Sequence, residues 1–360
     1  MRRLTFIALA LCMSSTALVP AALTAQSDSH LQVHGYLTQA WGIADGGTFA
    51  GIPTEGTTDY RTLALLFRYD LGEQDNLTIQ LSHRRLGVSP DVVGEPDVKL
   101  DWAYYDRQFG AFDVRIGRIP IPAGIYNELR FVGVTLPMYR PPFNFYMEGA
   151  FTSETVDGAV ARYTLFQGDA WSVDASAYYG SYTMINRAQI DTQYVPVSAN
   201  VQHAVGGQAW INTPIDGVRF GGGLSTEDVK DGEFPGRWNE WHASADINLP
   251  AVTARAEYRT FGLPQLRYTA YYGSLDLHVT DRFSLHGLAD FADFTYYPLP
   301  TIKFNKEYAA GVSFAVRPNL VLKGEVHTTN GFWADSPVLD PTSNAPATVR
   351  YGIISLSTAF

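Results

Sequence analysis

The chain has 360 residues, with 26 Lys and Arg against 36 Asp and Glu, one cysteine and a formal net charge of −10. The acidic balance argues against nucleic acid as a partner, and a single cysteine excludes a disulfide framework. No uncharged apolar run of about 18 residues follows position 25, so spanning helices are excluded too.

Met1, Arg2 and Arg3 followed by an apolar run from Leu4 to Met13 and then small residues read as a secretory signal peptide over 1–25, cleaved after Ala25. The run is too short for a comfortable membrane anchor. Cys12 lies inside it, so 26–360 holds no cysteine. Loss of Arg2 and Arg3, with no acidic residue, takes the charge from −10 to −12.

From there the chain alternates, apolar then polar, with the period of a strand. Leu31, Val33 and Leu37 mark the first predicted strand. Leu63, Leu65, Phe67 and Tyr69 oppose Arg68 on the second. Leu77, Ile79 and Leu81 oppose Thr78, Gln80, Ser82 and Arg84 on the third. Val98, Leu100, Trp102 and Tyr104 oppose Lys99, Asp101 and Arg107 on the fourth. On the fifth, Phe112, Val114 and Ile116 oppose Asp113 and Arg115. On the sixth, Ala159, Ala161, Tyr163 and Leu165 oppose Arg162. On the seventh, Val173, Ala175, Ala177 and Tyr179 oppose Asp174 and Ser176.

The eighth and ninth, near 203–212 and 218–226, are faint because of Gly206, Gly207 and Gly221 to Gly223. The tenth sets Trp241, Ala243 and Ala245 against Glu240, His242 and Asp246. Clearest is the eleventh: Val252, Ala254, Ala256 and Tyr258 on one face, Thr253, Arg255, Glu257 and Arg259 on the other. Five more follow, near 275–279, 283–293, 307–316, 320–327 and 348–360.

Short turns near 70–75, 109–111, 167–170, 213–217, 249–251, 280–282 and 317–319 alternate with longer links near 43–58, 87–96, 119–154, 181–202, 227–237, 261–266, 294–305 and 330–347. The pattern predicts an all-β fold: a transmembrane antiparallel β-barrel of about 16 strands over 26–360, with short periplasmic turns and long external loops. A barrel of that size leaves an aqueous lumen. A soluble sandwich or propeller is the alternative that the same alternation allows.

The longest link, 119–154, holds Glu128, Arg130, Arg140, Glu148 and Glu154 among Tyr126, Tyr139, Phe143, Phe145 and Tyr146, and is stiffened by five prolines. It is expected to fold into the lumen as a constriction or to sit outside as a binding surface. By predicted face, Arg68, Arg84, Lys99, Arg107, Arg115, Arg118 and Arg162 make one wall basic. Asp174, Glu240, Asp246, Glu257, Asp276 and Asp290 make the other acidic. Opposed walls set a transverse field across the pore; simple pairing between neighbouring strands is the competing reading.

Arg115, Gly117, Arg118, Pro120, Gly124, Tyr126, Asn127 and Glu128 form a stretch that resembles the R-x-G-R…P-x-G-x-Y-N-E segment of Gram-negative porins related to the phosphate-selective type. The resemblance implies an outer-membrane homotrimer, in contact with lipid and lipopolysaccharide, that passes small hydrophilic solutes. It also places 119–154 as the third external, lumen-entering loop. Arg84, Lys99, Arg115, Arg118, Tyr126, Glu128, Arg130, Glu148 and Arg162 are then the expected pore-lining residues. Phe360, ending the last strand, resembles the C-terminal aromatic of many outer-membrane proteins. His327, Thr329, Asn330 and Gly331 resemble the H-x-S-N-G of outer-membrane phospholipases, but with Thr for the nucleophilic Ser and with His327 on the inward parity. The eight histidines show no metal-ligand spacing, and no cofactor is expected.

Overall fold

A computed structural model describes residues 30–92, 97–147, 154–168, 170–190, 193–232, 234–341 and 345–360. The predicted signal segment and Glu148 lie outside the described residues. The strands are β1 (Leu31–Asp45), β2 (Thr57–Asp70), β3 (Asp75–Leu86), β4 (Lys99–Phe109), β5 (Phe112–Pro120), β6 (Thr155–Gln167), β7 (Ser172–Ile190) and β8 (Gln193–Asn212). Then come β9 (Val218–Val229), β10 (Gly236–Leu249), β11 (Val252–Leu263), β12 (Leu266–His278), β13 (Phe283–Tyr296), β14 (Ile302–Arg317), β15 (Leu320–Gly331) and β16 (Ala347–Ala359). Each pairs antiparallel with its sequence neighbour, and β16 returns to β1 to close a 16-strand barrel. Closure leaves no edge strand, so every strand finds backbone partners on both sides.

Alternation sorts the side chains. Leu65, Leu81, Trp241, Leu275, Leu322, Ile354 and Leu356 face outward and are exposed. An apolar belt of this extent is unfavourable in water and favourable in lipid. Trp241, Tyr258, Tyr271, Phe291 and Tyr308 form a continuous row across β10 to β14, with ring centroids 4.9, 6.3, 5.1 and 5.7 Å apart. Such a row is an aromatic girdle at a membrane interface. Inward positions are buried and largely polar: Thr78, Gln80, Ser82 and Arg84 on β3, and Lys323, Glu325, His327 and Thr329 on β15.

Three stretches depart from the sequence expectation. The link expected at 181–202 is paired strand: β7 and β8 continue together to Ile190 and Gln193, with a bulge around His203. The link expected at 261–266 is a two-residue turn, Pro264 and Gln265, since Leu263 pairs with Leu266. Here Gly262, at φ 143°, has the Leu266 carbonyl oxygen where a Cβ would sit. On β4 a bulge at Asp101, between the pairs Gln80 with Trp102 and Leu81 with Leu100, reverses the alternation. Trp102 and Tyr104 therefore turn inward, and Arg107 turns outward beside Asp75 and Phe109. One inserted residue moves every later side chain to the other face.

Candidate channel and its inward loop

The segment between β5 and β6 enters the barrel. At its neck, Ile121 N–H donates to the Glu154 carbonyl (3.0 Å), and Asn127 Nδ2 donates to the Ile121 carbonyl (2.7 Å). A single 3-10 turn, Gly133–Thr135, and a four-residue helix, α1 (Phe143–Tyr146), follow. Tyr126, Leu136, Met138, Tyr139, Phe143, Phe145, Tyr146 and Met147 are all buried. The loop therefore packs as a second core against β1, β2 and β11 to β16.

A buried loop must find partners for its backbone groups. Here the wall carboxylates supply acceptors. Ile125 N–H donates to Glu257 Oε1 (3.0 Å), Asn144 N–H to Asp290 Oδ2 (2.8 Å) and Tyr139 N–H to Glu325 Oε2 (2.9 Å). The Tyr146 and Tyr272 hydroxyls also donate to Glu257. Donors come from the wall too. Lys323 Nζ, buried, donates to the carbonyls of Gly133, Leu136 and Met138, at 2.5, 2.6 and 3.0 Å. Arg259 reaches the Phe145 carbonyl (2.8 Å), and Arg140 reaches the Tyr60 hydroxyl (2.5 Å). Gly133 lies so close to the wall that a Cβ would meet Thr38 Oγ1 at 2.1 Å and Ser357 Oγ at 2.5 Å.

The predicted basic wall is neutralised at close range. Arg115 pairs with Asp106 (2.9 Å) and Asp113 (3.5 Å), Lys99 with Asp101 (3.9 Å), Arg84 with Glu154 (3.3 Å) and Arg162 with Glu128 (2.5 Å). The acidic wall divides its carboxylates between the loop, as above, and neighbouring basic side chains. Asp246 takes Arg219 and Arg255, and Asp276 takes Arg255 and His286. Pairing within each wall cancels most of the transverse field that the sequence suggested.

Burial alone would raise the Glu154 carboxyl. Arg84, Arg130 and Lys99 outweigh it and hold the group down at about 2. The depressed value adds stability that is complete above the ordinary 4.5 and is lost as pH falls through about 2. Replacing Glu154 by Gln is expected to cost on the order of 3 kcal/mol at neutral pH. The stability gap between wild type and E154Q, read from urea unfolding in detergent, should stay constant down to about pH 4.5 and shrink below it. A gap independent of pH down to pH 2 would disprove the assignment. Burial likewise pushes the Tyr126 hydroxyl above the ordinary tyrosine range, against the pull of Arg255, so it stays protonated and accepts from Arg255 Nη1 (3.0 Å).

The side of the loop away from this dock borders open space. A lower cleft is lined by Asp113, Pro122, Glu128, Arg162, Asp174, Ser176, Gln208 and Trp210. An upper cavity lies between residues 121–130 of the loop and the inner faces of β7 to β11, and Pro122 borders both spaces. Above it the β7–β8 hairpin reaches across to the segment after β15, where the Tyr194 hydroxyl donates to the Phe332 carbonyl (3.2 Å).

Of the expected pore-lining residues, Glu128 and Arg162 border the lower cleft and Arg130 the upper cavity. Arg84, Lys99 and Arg115 face inward but are held in ion pairs. Tyr126 is buried in the loop's own core. Arg118 is corrected: three residues from inward Arg115, it has the opposite parity and pairs with Asp157 on the outer face (2.7 Å). His327 stacks on Tyr351 at 4.3 Å with Nδ1 at Glu307, and the Thr329 hydroxyl donates to Asn305. Neither faces lipid, and Thr329 is not bonded to His327, so the pair lacks the arrangement of a lipid hydrolase. Sequence reasoning missed the docking role of Glu257, Asp290, Lys323 and Glu325. The available signal was a row of inward charges facing a long, proline-rich loop with few strand partners of its own.

No known family profile and no curated protein matches the chain. Solved structures do. OmpF of Salmonella typhi in complex with daunomycin superposes with a TM-score of 0.62 at 10% identity, over 92% of this chain and 97% of that one. The outer membrane channel DcaP of Acinetobacter baumannii gives 0.60 at 10%, over 92% and 97%. The anion-selective porin from Comamonas acidovorans gives 0.58 at 12%, over 92% and 99%. At these identities the likeness is one of architecture, and it agrees with the closed barrel described above: the chain has the fold of the 16-stranded outer-membrane porins.

Proposed function

We propose that the protein is an outer-membrane porin of a Gram-negative bacterium, through which small hydrophilic solutes diffuse passively. The observation that carries this reading is the docked loop. It packs along β11 to β16 and leaves the lower cleft and the upper cavity along β5 to β11, with Pro122 bordering both. A narrowed, water-filled barrel selects by size and by the charges at its narrowest point. The reading includes a homotrimer embedded in lipid and lipopolysaccharide, in keeping with the porin fold. Resemblance of residues 115–128 to phosphate-selective porins does not extend to phosphate selectivity, because Arg115 is neutralised and Arg118 faces outward.

The test is conductance of the refolded protein in planar bilayers, with reversal potentials across a salt gradient. Steady open channels are expected, weakly cation-preferring, since Asp113, Glu128 and Asp174 outnumber Arg162 in the lower cleft. Arg162→Gln should move the reversal potential further toward cations, and Arg118→Gln should leave it unchanged. Equal shifts for both variants would contradict the face assignment. A barrel that never opens would point to the β7–β8 hairpin and its Tyr194 contact as a closed cover.

A further inference from the structure

The upper cavity has the chemistry of a binding site. Its free volume is about 60 Å³, in a recess with an open mouth. Loop residues from Ile121 to Arg130 form one side. The other carries Tyr178, Tyr182, Glu227, Trp238, Glu240 and His242.

Its charges are unequal in availability. Glu240 is bound by Arg259 (2.5 Å), and Arg259 also holds the Phe145 carbonyl. Arg130 is bonded to Asn127 Oδ1 and the Tyr146 carbonyl, with its Nε 3.9 Å from Glu154. Both guanidinium groups are therefore engaged by the protein. Glu227 differs. Its Oε2 accepts from the Tyr182 hydroxyl (2.5 Å), and among the described residues no cation stands within 4.0 Å of it. The residue is partly exposed and lines the cavity. A carboxylate in such a recess, with no cation in contact among the described residues, favours a cationic ligand.

A second, independent feature points the same way. The His242 side chain is 6% exposed, lines the same cavity and has an Nε2 without a partner. Its ring lies over Gly223, where a Cβ would meet it at 2.4 Å. Nδ1 lies 3.8 Å from Glu240 Oε1, and Nε2 is left to meet a polar group of a solute. An unpartnered ring nitrogen and a carboxylate on the cavity wall suit a polar cationic solute, and the faces of aromatic rings beside them attract the same charge.

We propose that this cavity binds small organic ammonium solutes, with the nitrogen at Glu227 and the carbon body against the tyrosine and tryptophan rings. This rests on the porin reading and names a solute class for it. The channel would then slow and concentrate amines as they pass.

The test uses the full-length refolded barrel and three probes of one shape: benzylammonium, benzyl alcohol and benzoate. Calorimetric titration in detergent reads occupancy whether or not the barrel conducts, and bilayer recordings read transient block. Benzylammonium is expected to bind and to interrupt the current, with the other two at least about tenfold weaker. Glu227→Gln should weaken benzylammonium by about tenfold or more, while Asp174→Asn, a carboxylate of the lower cleft, should leave it unchanged. Equal binding of all three probes, preference for benzoate, or an unaffected E227Q each overturns the proposal. If the channels conduct without amine binding, the proposal fails and the porin reading stands. If amine binds to a barrel that never conducts, the porin reading fails instead.

Discussion

Replacing residues 124–147 by a short Gly-Ser link will raise single-channel conductance roughly threefold or more, because a 16-stranded barrel without an inner loop holds a wide aqueous channel. The barrel itself should survive. Its strands are joined through sixteen antiparallel pairings, none of which uses the loop. The carboxylates of Glu257, Asp290 and Glu325 lose backbone partners in the deletion but gain water in exchange. Discrimination between solutes should fall together with the rise in current. Gly133→Val supplies a milder version, forcing the 3-10 turn away from Thr38 and Ser357 without shortening the chain. Conductance unchanged by both would mean that the loop does not set the width of the path.

Lys323→Met is expected to destabilise the folded barrel by about 2–4 kcal/mol and to produce flickering currents. The Nζ group donates to three carbonyls of the loop, at Gly133, Leu136 and Met138, and the residue is 2% exposed. Methionine fills similar volume but leaves those acceptors buried and unsatisfied, and each such loss costs about 1–3 kcal/mol before relaxation. The Lys desolvation recovered on removing the charge offsets part of it. Heat or urea unfolding in detergent reads the stability, and open-channel noise reads the freed loop. Lys323→Arg is a useful companion: it keeps the charge, but its planar fork cannot match three carbonyls in the same way. A Lys323→Met protein as stable and as quiet as wild type would show that the dock rests elsewhere.

Much of the barrel was legible in the sequence because period-two alternation is dictated by the membrane. Each strand must show an apolar face to lipid and a polar face to the lumen, so β11, with Arg255, Glu257 and Arg259 between Ala254, Ala256 and Tyr258, announces itself. The faint strands β8 and β9 were located too, although Gly206, Gly207 and Gly221 to Gly223 carry no side chains to alternate. The glycines on the inner face have a use: Trp210 lies against Gly221 and His242 over Gly223.

Errors fell where one residue changes parity or where pairing leaves the membrane. The bulge at Asp101 has no turn residue to betray it, so Trp102, Tyr104 and Arg107 were placed on the wrong faces. Arg118 was assigned to the inward face with Arg115, when a spacing of three sends them to opposite sides of the sheet. Beyond the lipid boundary the hairpin of β7 and β8 no longer needs an apolar face, which is why Tyr182 to Ile190 read as loop. An inward course was one of two expected for the loop, from its length, prolines and resemblance. Its anchorage was not foreseen, because Glu257, Asp290 and Glu325 look like ordinary lumen charges until the backbone N–H groups of Ile125, Asn144 and Tyr139 are seen to meet them.

The most direct test of the account is whether the free edge of the docked loop borders the conducting path. Ala123 lines the upper cavity beside Pro122 and Gly124. Position 12 holds the sequence's one native cysteine, so Ala123→Cys in a Cys12→Ser background carries a single thiol. A bulky sulfonated thiol reagent added during bilayer recording should cut the current of the open channel sharply and irreversibly, and should leave the parent channel untouched. A modified thiol with undiminished current would place the path elsewhere and contradict the docked loop as the constriction.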